Sequence, residues 1–201
     1  MKEERVLATE GDSPTASVYH QYHARLYRYL LKLSKNQAEA EDLVQETFLR
    51  IHSKLSSLRE PSLLAGWLYR IATNVFYDHH RQKLQRGKLI GPQGEAGSRP
   101  LEERWEDPDA PRIDRELDRN EMSGCVQEFV EGLSDDYRVV ILLHDIEELT
   151  NPEMADLLGC SLATVKIRLH RARKKLKAAL NKGCEFSKDD RDVLVCDRKT
   201  E

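Results

Sequence analysis

The sequence has no apolar run approaching the roughly 20 residues that cross a bilayer, and its start, MKEERVLATEGDSP, has no apolar signal segment. Membrane insertion is therefore not expected, and the expected compartment is the cytoplasm. Cysteine is sparse: Cys125, Cys160, Cys184 and Cys196 are scattered, form no CxxC pair, and are too few to staple 201 residues. This counts against a disulfide scaffold and against a redox or metal protein built on cysteines. There is no glycine-rich phosphate loop, no Ser-His-Asp order and no carboxylate constellation, so neither an enzyme nor a cofactor is expected. Metal binding is poorly served as well. His79 and His80 are neighbours that point about 100° apart on a helix, and His20 and His23, three apart, lack further ligands.

What is present suits compact helical units: 39% hydrophobic and 33% charged residues. The net charge of −3 looks wrong for a nucleic-acid binder, but distribution matters more than the sum. From Leu162 to Lys177 the basic residues Lys166, Arg168, Arg171, Arg173, Lys174, Lys175 and Lys177 occur without one acid among them, a block that attracts phosphate.

After a polar N-terminal tail, Val18, Tyr22, Leu26, Tyr29, Leu30 and Leu33 recur at the helical period. Asn36, with Glu39 three residues on, predicts a capping box opening a second helix with the stripe Leu43, Val44, Phe48, Ile51 and Leu55. Pro61 and Ser62 open a third, carrying Leu64, Trp67, Leu68, Ile71, Val75 and Phe76 and ending near His80. Between about Gln85 and Arg115 the period vanishes among glycines and prolines, which predicts a linker between two domains. Helical patterning resumes near Asp114 and runs to about Gly132. Ser134 is expected to cap the next helix, which buries Tyr137, Val140, Ile141, Leu143 and Leu149 in some combination.

The stretch TNPEMADLLGCSLATVKIRLHRARKKL has the spacing of a helix-turn-helix. Ala155 is small where a second helix crosses, Gly159 can take the left-handed turn conformation, Ser161 or its neighbour caps the second helix, and Val165 and Leu169 anchor it. That leaves Ala163, Lys166, Ile167, His170 and Arg171 facing DNA, with Arg168, Arg173 and Lys174 flanking toward phosphates. The ordinary alternative is a solvated basic surface helix.

TVKIRLHRARKKL resembles the promoter −35 reading helix of extracytoplasmic-function sigma factors of the sigma-70 family, a resemblance that adds Thr164 to the contact set. AEDLVQETFLRIHSKL resembles the family's polymerase-binding helix, and GWLYRIATNVFYDHHRQ its −10 element helix, in the right order. The resemblance covers roughly residues 18 to 181. It implies an all-α fold of two small helical domains, a region 2-like unit at 17–85 and a region 4-like helix-turn-helix unit at 116–182, with a polar tail at 1–16, a linker at 86–115 and an extension at 183–201. It implies core RNA polymerase, promoter DNA and an anti-sigma factor as partners. Carried over by position, Glu39, Glu41, Asp42, Gln45, Glu46 and Arg50 dock on polymerase, although an acidic helix face alone reads as solvated surface. Trp67, Arg70, Asn74, Tyr77, Asp78, His79 and Arg81 contact the −10 element, where aromatic faces stack on unpaired bases and basic groups hold the backbone. Trp67, in step with Leu64 and Ile71, reads more readily as core. The chain departs from the family in having Ser134 where proline is usual and Ile167 where a small polar residue is frequent, and the second departure bears on promoter preference.

The competing reading is a two-domain regulator that senses or dimerises through residues 1 to 85 and binds an operator. The tail GCEFSKDDRDVLVCDRKTE has no counterpart in the minimal family pattern. Its alternation predicts a hairpin with Cys184 to Phe186 opposite Asp192 to Cys196 and a turn at Asp189 to Asp192, bringing Cys184 and Cys196 face to face as a redox or regulatory pair. A loosely ordered tail with two incidental thiols is the alternative there.

Overall fold

The computed structural model describes residues 14–58, 60–88, 124–188 and 194–199. Helix α1 (Pro14–Ser34) buries Val18, Tyr22, Leu26, Tyr29, Leu30 and Leu33, the stripe read from the sequence. Lys35 closes it with φ of 59°. Helix α2 (Gln37–Lys54) starts where the Asn36 side chain accepts from the Glu39 amide at 3.0 Å. Only half of the expected capping box forms, because the Glu39 carboxylate reaches away to His79 and Lys83. After 3₁₀ turns at Leu55–Ser57 and Pro61–Leu63, helix α3 runs Leu64–Lys88, eight residues past the expected end at His80. The apolar stripe stops near His80, but Arg81, Gln82, Lys83, Leu84 and Gln85 are strong helix formers and carry the exposed helix onward.

Helices α1 and α3 share a buried polar seam. The Tyr29 and Thr73 hydroxyls meet at 2.7 Å, and Thr73 donates to the Tyr69 carbonyl at 2.7 Å. Leaving either hydroxyl without a partner there would cost about 1–3 kcal/mol, so the seam fixes the register of α1 on α3.

The second group starts with α4 (Gly124–Glu131); the expected start near Asp114 lies outside the described residues, as do the linker positions 89–115. Helix α5 (Asp135–Ile141) has Ser134 at its N-cap position without a side-chain cap bond, so the expected hydroxyl cap does not form. A π-helical turn, Leu142–Ile146, continues α5. Helix α6 (Asn151–Leu158) opens on a complete capping box between Thr150 and Glu153 and closes on Gly159 at φ 63°, ψ 37°, a conformation glycine adopts without Cβ strain. Helix α7 (Leu162–Gly183) follows, with the Ser161 hydroxyl accepting from the Thr164 amide at 3.1 Å.

The C-terminal hairpin forms, in a different register from the one expected. Strand β1 (Cys184–Lys188) pairs antiparallel with β2 (Leu194–Arg198), setting Cys184 opposite Arg198 and Cys196 opposite Phe186. The two cysteines are diagonal neighbours, which in an antiparallel pair lie about 7–8 Å apart, beyond the usual Cα reach of a disulfide. The face-to-face pairing is thereby corrected: β2 ends two residues farther along the sequence than its alternation showed, which shifts the register by two. The expected turn at Asp189 to Asp192 lies outside the described residues. At the joint, a Cβ on Gly183 would come within 2.4 Å of the Phe129 ring, so glycine lets α4 close on the end of α7.

The two helix groups do not stand apart. Their apolar residues form one continuous core, with α1 touching α4 and α5 and α3 touching α6. Arg138, 3% exposed, binds the groups together. It donates to the carbonyl of Leu33 at the end of α1 (2.6 Å), to that of Glu131, the last residue of α4 (3.0 Å), and to that of Leu133 just after it (2.7 Å). Three carbonyls left over where helices end thus share one guanidinium.

Candidate nucleic-acid interface

In the helix-turn-helix, Ala155 is buried, and α7 turns Val165, Leu169, Ala172 and Leu176 inward. Its outer face exposes Ala163, Lys166, His170 and Lys174, with Ile167, Arg168 and Arg171 half-buried along its edge. Thr164 is committed to the turn, its hydroxyl 2.8 Å from that of Ser161. Arg173 differs from its neighbours. It is held by Asp145, and its guanidinium lies 3.1 Å from His144 Nδ1, so its charge is already compensated by the π-helical turn. Burial alone would raise the Asp145 carboxyl; hydrogen bonds from His144 and Arg173 outweigh it and bring the group below the usual carboxylate range. Farther along, Lys175 sits 4.9 Å above the Tyr137 ring, a cation–π contact.

On α3, Arg70, Asn74 and Arg81 are exposed in one stripe, whereas Trp67 is half-buried against the core. The remaining members have partners inside the protein. Asp78 accepts from Arg50 at 3.0 Å, His79 Nδ1 lies 3.2 Å from Glu39, and the Tyr77 hydroxyl donates to Asp136 at 3.0 Å. Burial first, and then Asp136, raises the Tyr77 phenol well above its ordinary value, so it is a neutral donor.

On α2, Glu41, Asp42, Gln45 and Glu46 face outward, Glu46 pairing with Arg50 at 2.8 Å. Glu39 does not join them; it turns toward α3 to hold His79 and Lys83. Leu49, absent from the sequence reading, is 66% exposed on the same face. The signal was available: Leu49 falls outside the stripe of Leu43, Val44, Phe48 and Ile51, yet follows Asp42, Gln45 and Glu46 at helical steps. An apolar residue ringed by polar ones is the usual anatomy of a docking patch.

Two helical groups, the second a helix-turn-helix with a basic outer face, define a DNA-binding protein of the transcription machinery once relatives are considered. The sequence profile for Sigma-70 region 2 matches residues 18–86, and that for Sigma-70 region 4 matches residues 123–176. The ECF RNA polymerase sigma factor SigE of Mycolicibacterium smegmatis is 34% identical over 167 residues, covering 81% of this chain and 60% of its own length. The ECF RNA polymerase sigma factor SigW of Bacillus subtilis is 31% identical over 176 residues, covering 85% of this chain and 91% of its own. Among solved structures, the sigma factor RpoE of Bartonella quintana, in complex with the anti-sigma factor NepR, superposes with a TM-score of 0.62 at 24% identity, covering 83% of this chain and 96% of that one. The chain belongs to the sigma-70 family of RNA polymerase sigma factors, in its extracytoplasmic-function branch. No helix among the described residues is long and apolar enough to cross a membrane.

Proposed function

We propose that this sigma factor docks on core RNA polymerase through the outer face of α2, with Leu49 at its centre and Glu41, Asp42, Gln45 and Glu46 around it. The −35 element is read by α7 through Ala163, Lys166, Ile167, His170 and Arg171, with Arg168 and Lys174 reaching phosphates. The −10 strand lies along α3, on Arg70, Asn74, Tyr77 and Arg81. The observation that carries the −35 assignment is the outer face of α7, where Lys166, His170 and Arg171 enter no ion pair among the described residues. Arg173 can serve only if it leaves Asp145. An anti-sigma factor, the kind of partner held by the Bartonella relative, is the proposed inhibitor.

Purified protein added to core polymerase is expected to start transcription at a cognate promoter. A dimeric operator-binding regulator would add nothing to core enzyme, and failure to co-purify with core would sink the proposal. Ile167→Ser should change sequence preference more than affinity, because an aliphatic side chain touches a thymine methyl but offers no hydrogen bond to a base edge. Selection from a random DNA pool with both proteins checks this, and identical preferences would remove Ile167 from the reading face.

A further inference from the structure

Helix α7 is basic along its outer face, and one of its cations is withheld. Arg173 follows Lys166 and His170 at steps of four and three, so it stands in line with residues assigned above to the −35 element. Unlike them it is paired. Its Nε donates to Asp145 Oδ2 at 3.4 Å, and its Nη2 donates to Asp145 Oδ1. The carboxylate comes from the π-helical turn Leu142–Ile146, and turns of this kind recur at functional positions in helices.

The residue before that carboxylate, His144, touches both members of the pair. Its Nδ1 is 2.9 Å from Asp145 Oδ1 and 3.1 Å from Arg173 Nη2. One ring nitrogen cannot serve both. Toward Arg173, which only donates, Nδ1 must be an unprotonated acceptor; toward an ionised Asp145, which only accepts, it must carry a proton. The neutral ring with its proton on Nε2 therefore supports Arg173 on Asp145, whereas the imidazolium bonds to Asp145 and repels the guanidinium. Asp145 is ionised in either case: burial would raise its carboxyl, and the hydrogen bonds from His144 and Arg173 outweigh it.

Among the described residues, Asp145 and Arg173 are the charged groups in contact with His144. Charges on the elements packed against the turn are engaged elsewhere or exposed. On α5, Arg138 is taken up by Asp135 and by carbonyls; on α6, Glu153 is turned back on Thr150 and Asp156 is exposed; just after the turn, Glu147 is held by Tyr69 and Arg25.

We propose that His144 is a positioning residue for DNA binding: on taking a proton from solvent it displaces Arg173 from Asp145 and frees that guanidinium for a phosphate of the −35 duplex, so that binding of this element is coupled to uptake of one proton. This deepens the −35 assignment of α7 and rests on it. Histidine is the side chain whose charge changes between about pH 5 and 8, and a phosphate that receives Arg173 favours the protonated ring in turn. Affinity is gained as pH falls, because the protonated form is the one that presents the extra cation.

The test uses the full chain carrying His170→Gln, which removes the other histidine of α7, and a duplex recovered by that protein from a random pool. Fluorescence anisotropy follows binding at about pH 8 and about pH 6 over a range of salt. Affinity is expected to rise about fivefold between the two, and the slope of log affinity against log salt to steepen by about 1, the mark of one added phosphate contact. His144→Gln, which can accept from Arg173 but gains no proton, should keep the weaker affinity at both pH values. Asp145→Asn, which releases Arg173 outright, should keep the tighter one. Circular dichroism checks that both retain their helical content. A pH response retained in His144→Gln overturns the proposal. So does one retained in Arg173→Gln, where the ring would be acting on the DNA backbone itself, and so does an Asp145→Asn protein that binds as weakly as His144→Gln. A protein with Lys166→Ala and Arg171→Ala that binds the duplex as tightly as the parent would instead remove the −35 assignment of α7, and this coupling with it.

Discussion

Arg138→Met is expected to lower the stability of the protein by about 3 kcal/mol, because it strips hydrogen bonds from carbonyls at the ends of α1 and α4 in one substitution. Methionine fills much of the same space, so cavity formation adds little. For a chain of this size, such a loss lowers the melting temperature by on the order of 10 °C. Arg138→Lys keeps the charge but not the planar fork, and should fall between the parent and Met. Burial already pulls the Arg138 guanidinium below its ordinary value, with Asp135 and Glu131 opposing that pull. Thermal unfolding followed by circular dichroism gives the answer, and a loss below about 1 kcal/mol would mean that water replaces the guanidinium at those carbonyls.

The paired reversal Asp42→Lys and Glu46→Lys is expected to weaken binding to core polymerase by at least about tenfold, while leaving helical content unchanged. Both carboxylates lie on the exposed side of α2, and the Glu46–Arg50 pair is an i,i+4 surface contact whose loss costs well under about 1 kcal/mol. Truncating Leu49 to Ala in the parent tests the apolar centre of the same face. Fluorescence titration against core enzyme measures both, and parental affinity in the reversed protein would move the docking surface off α2.

Periodicity made most of the architecture legible. The α1 stripe and the inward residues of α7 follow directly from steps of three and four, and the turn of the helix-turn-helix follows from Gly159, because a left-handed residue at that spacing has few substitutes. Features that depend on distant partners were not legible. Arg138 looks like an ordinary charged residue at the start of an amphipathic helix; that it is buried depends on α1 ending beside it, 105 positions earlier in the sequence. Likewise, the commitment of Arg173 to Asp145 arises because the π-helical turn carries Asp145 toward α7, and the sequence has no local mark for that turn. The end of α3 was missed for the opposite reason. Its last turns are held by propensity rather than by a buried stripe, so hydrophobic spacing says nothing about them.

Helix α7 spans 22 residues, a rod about 33 Å long at 1.5 Å per residue. Its first turns carry the residues proposed to face DNA, and its far end is clasped by Phe129 against Gly183 and continues into the hairpin, where Arg198 pairs with Glu128 at 2.7 Å. Mechanically this is a lever with a handle. A pivot of about 10° at the handle displaces the opposite tip by about 6 Å, more than the roughly 3.4 Å step from one base pair to the next. If α7 reads DNA as proposed, a force on the hairpin that turned the helix by that angle would move its tip by more than one base-pair step without touching DNA.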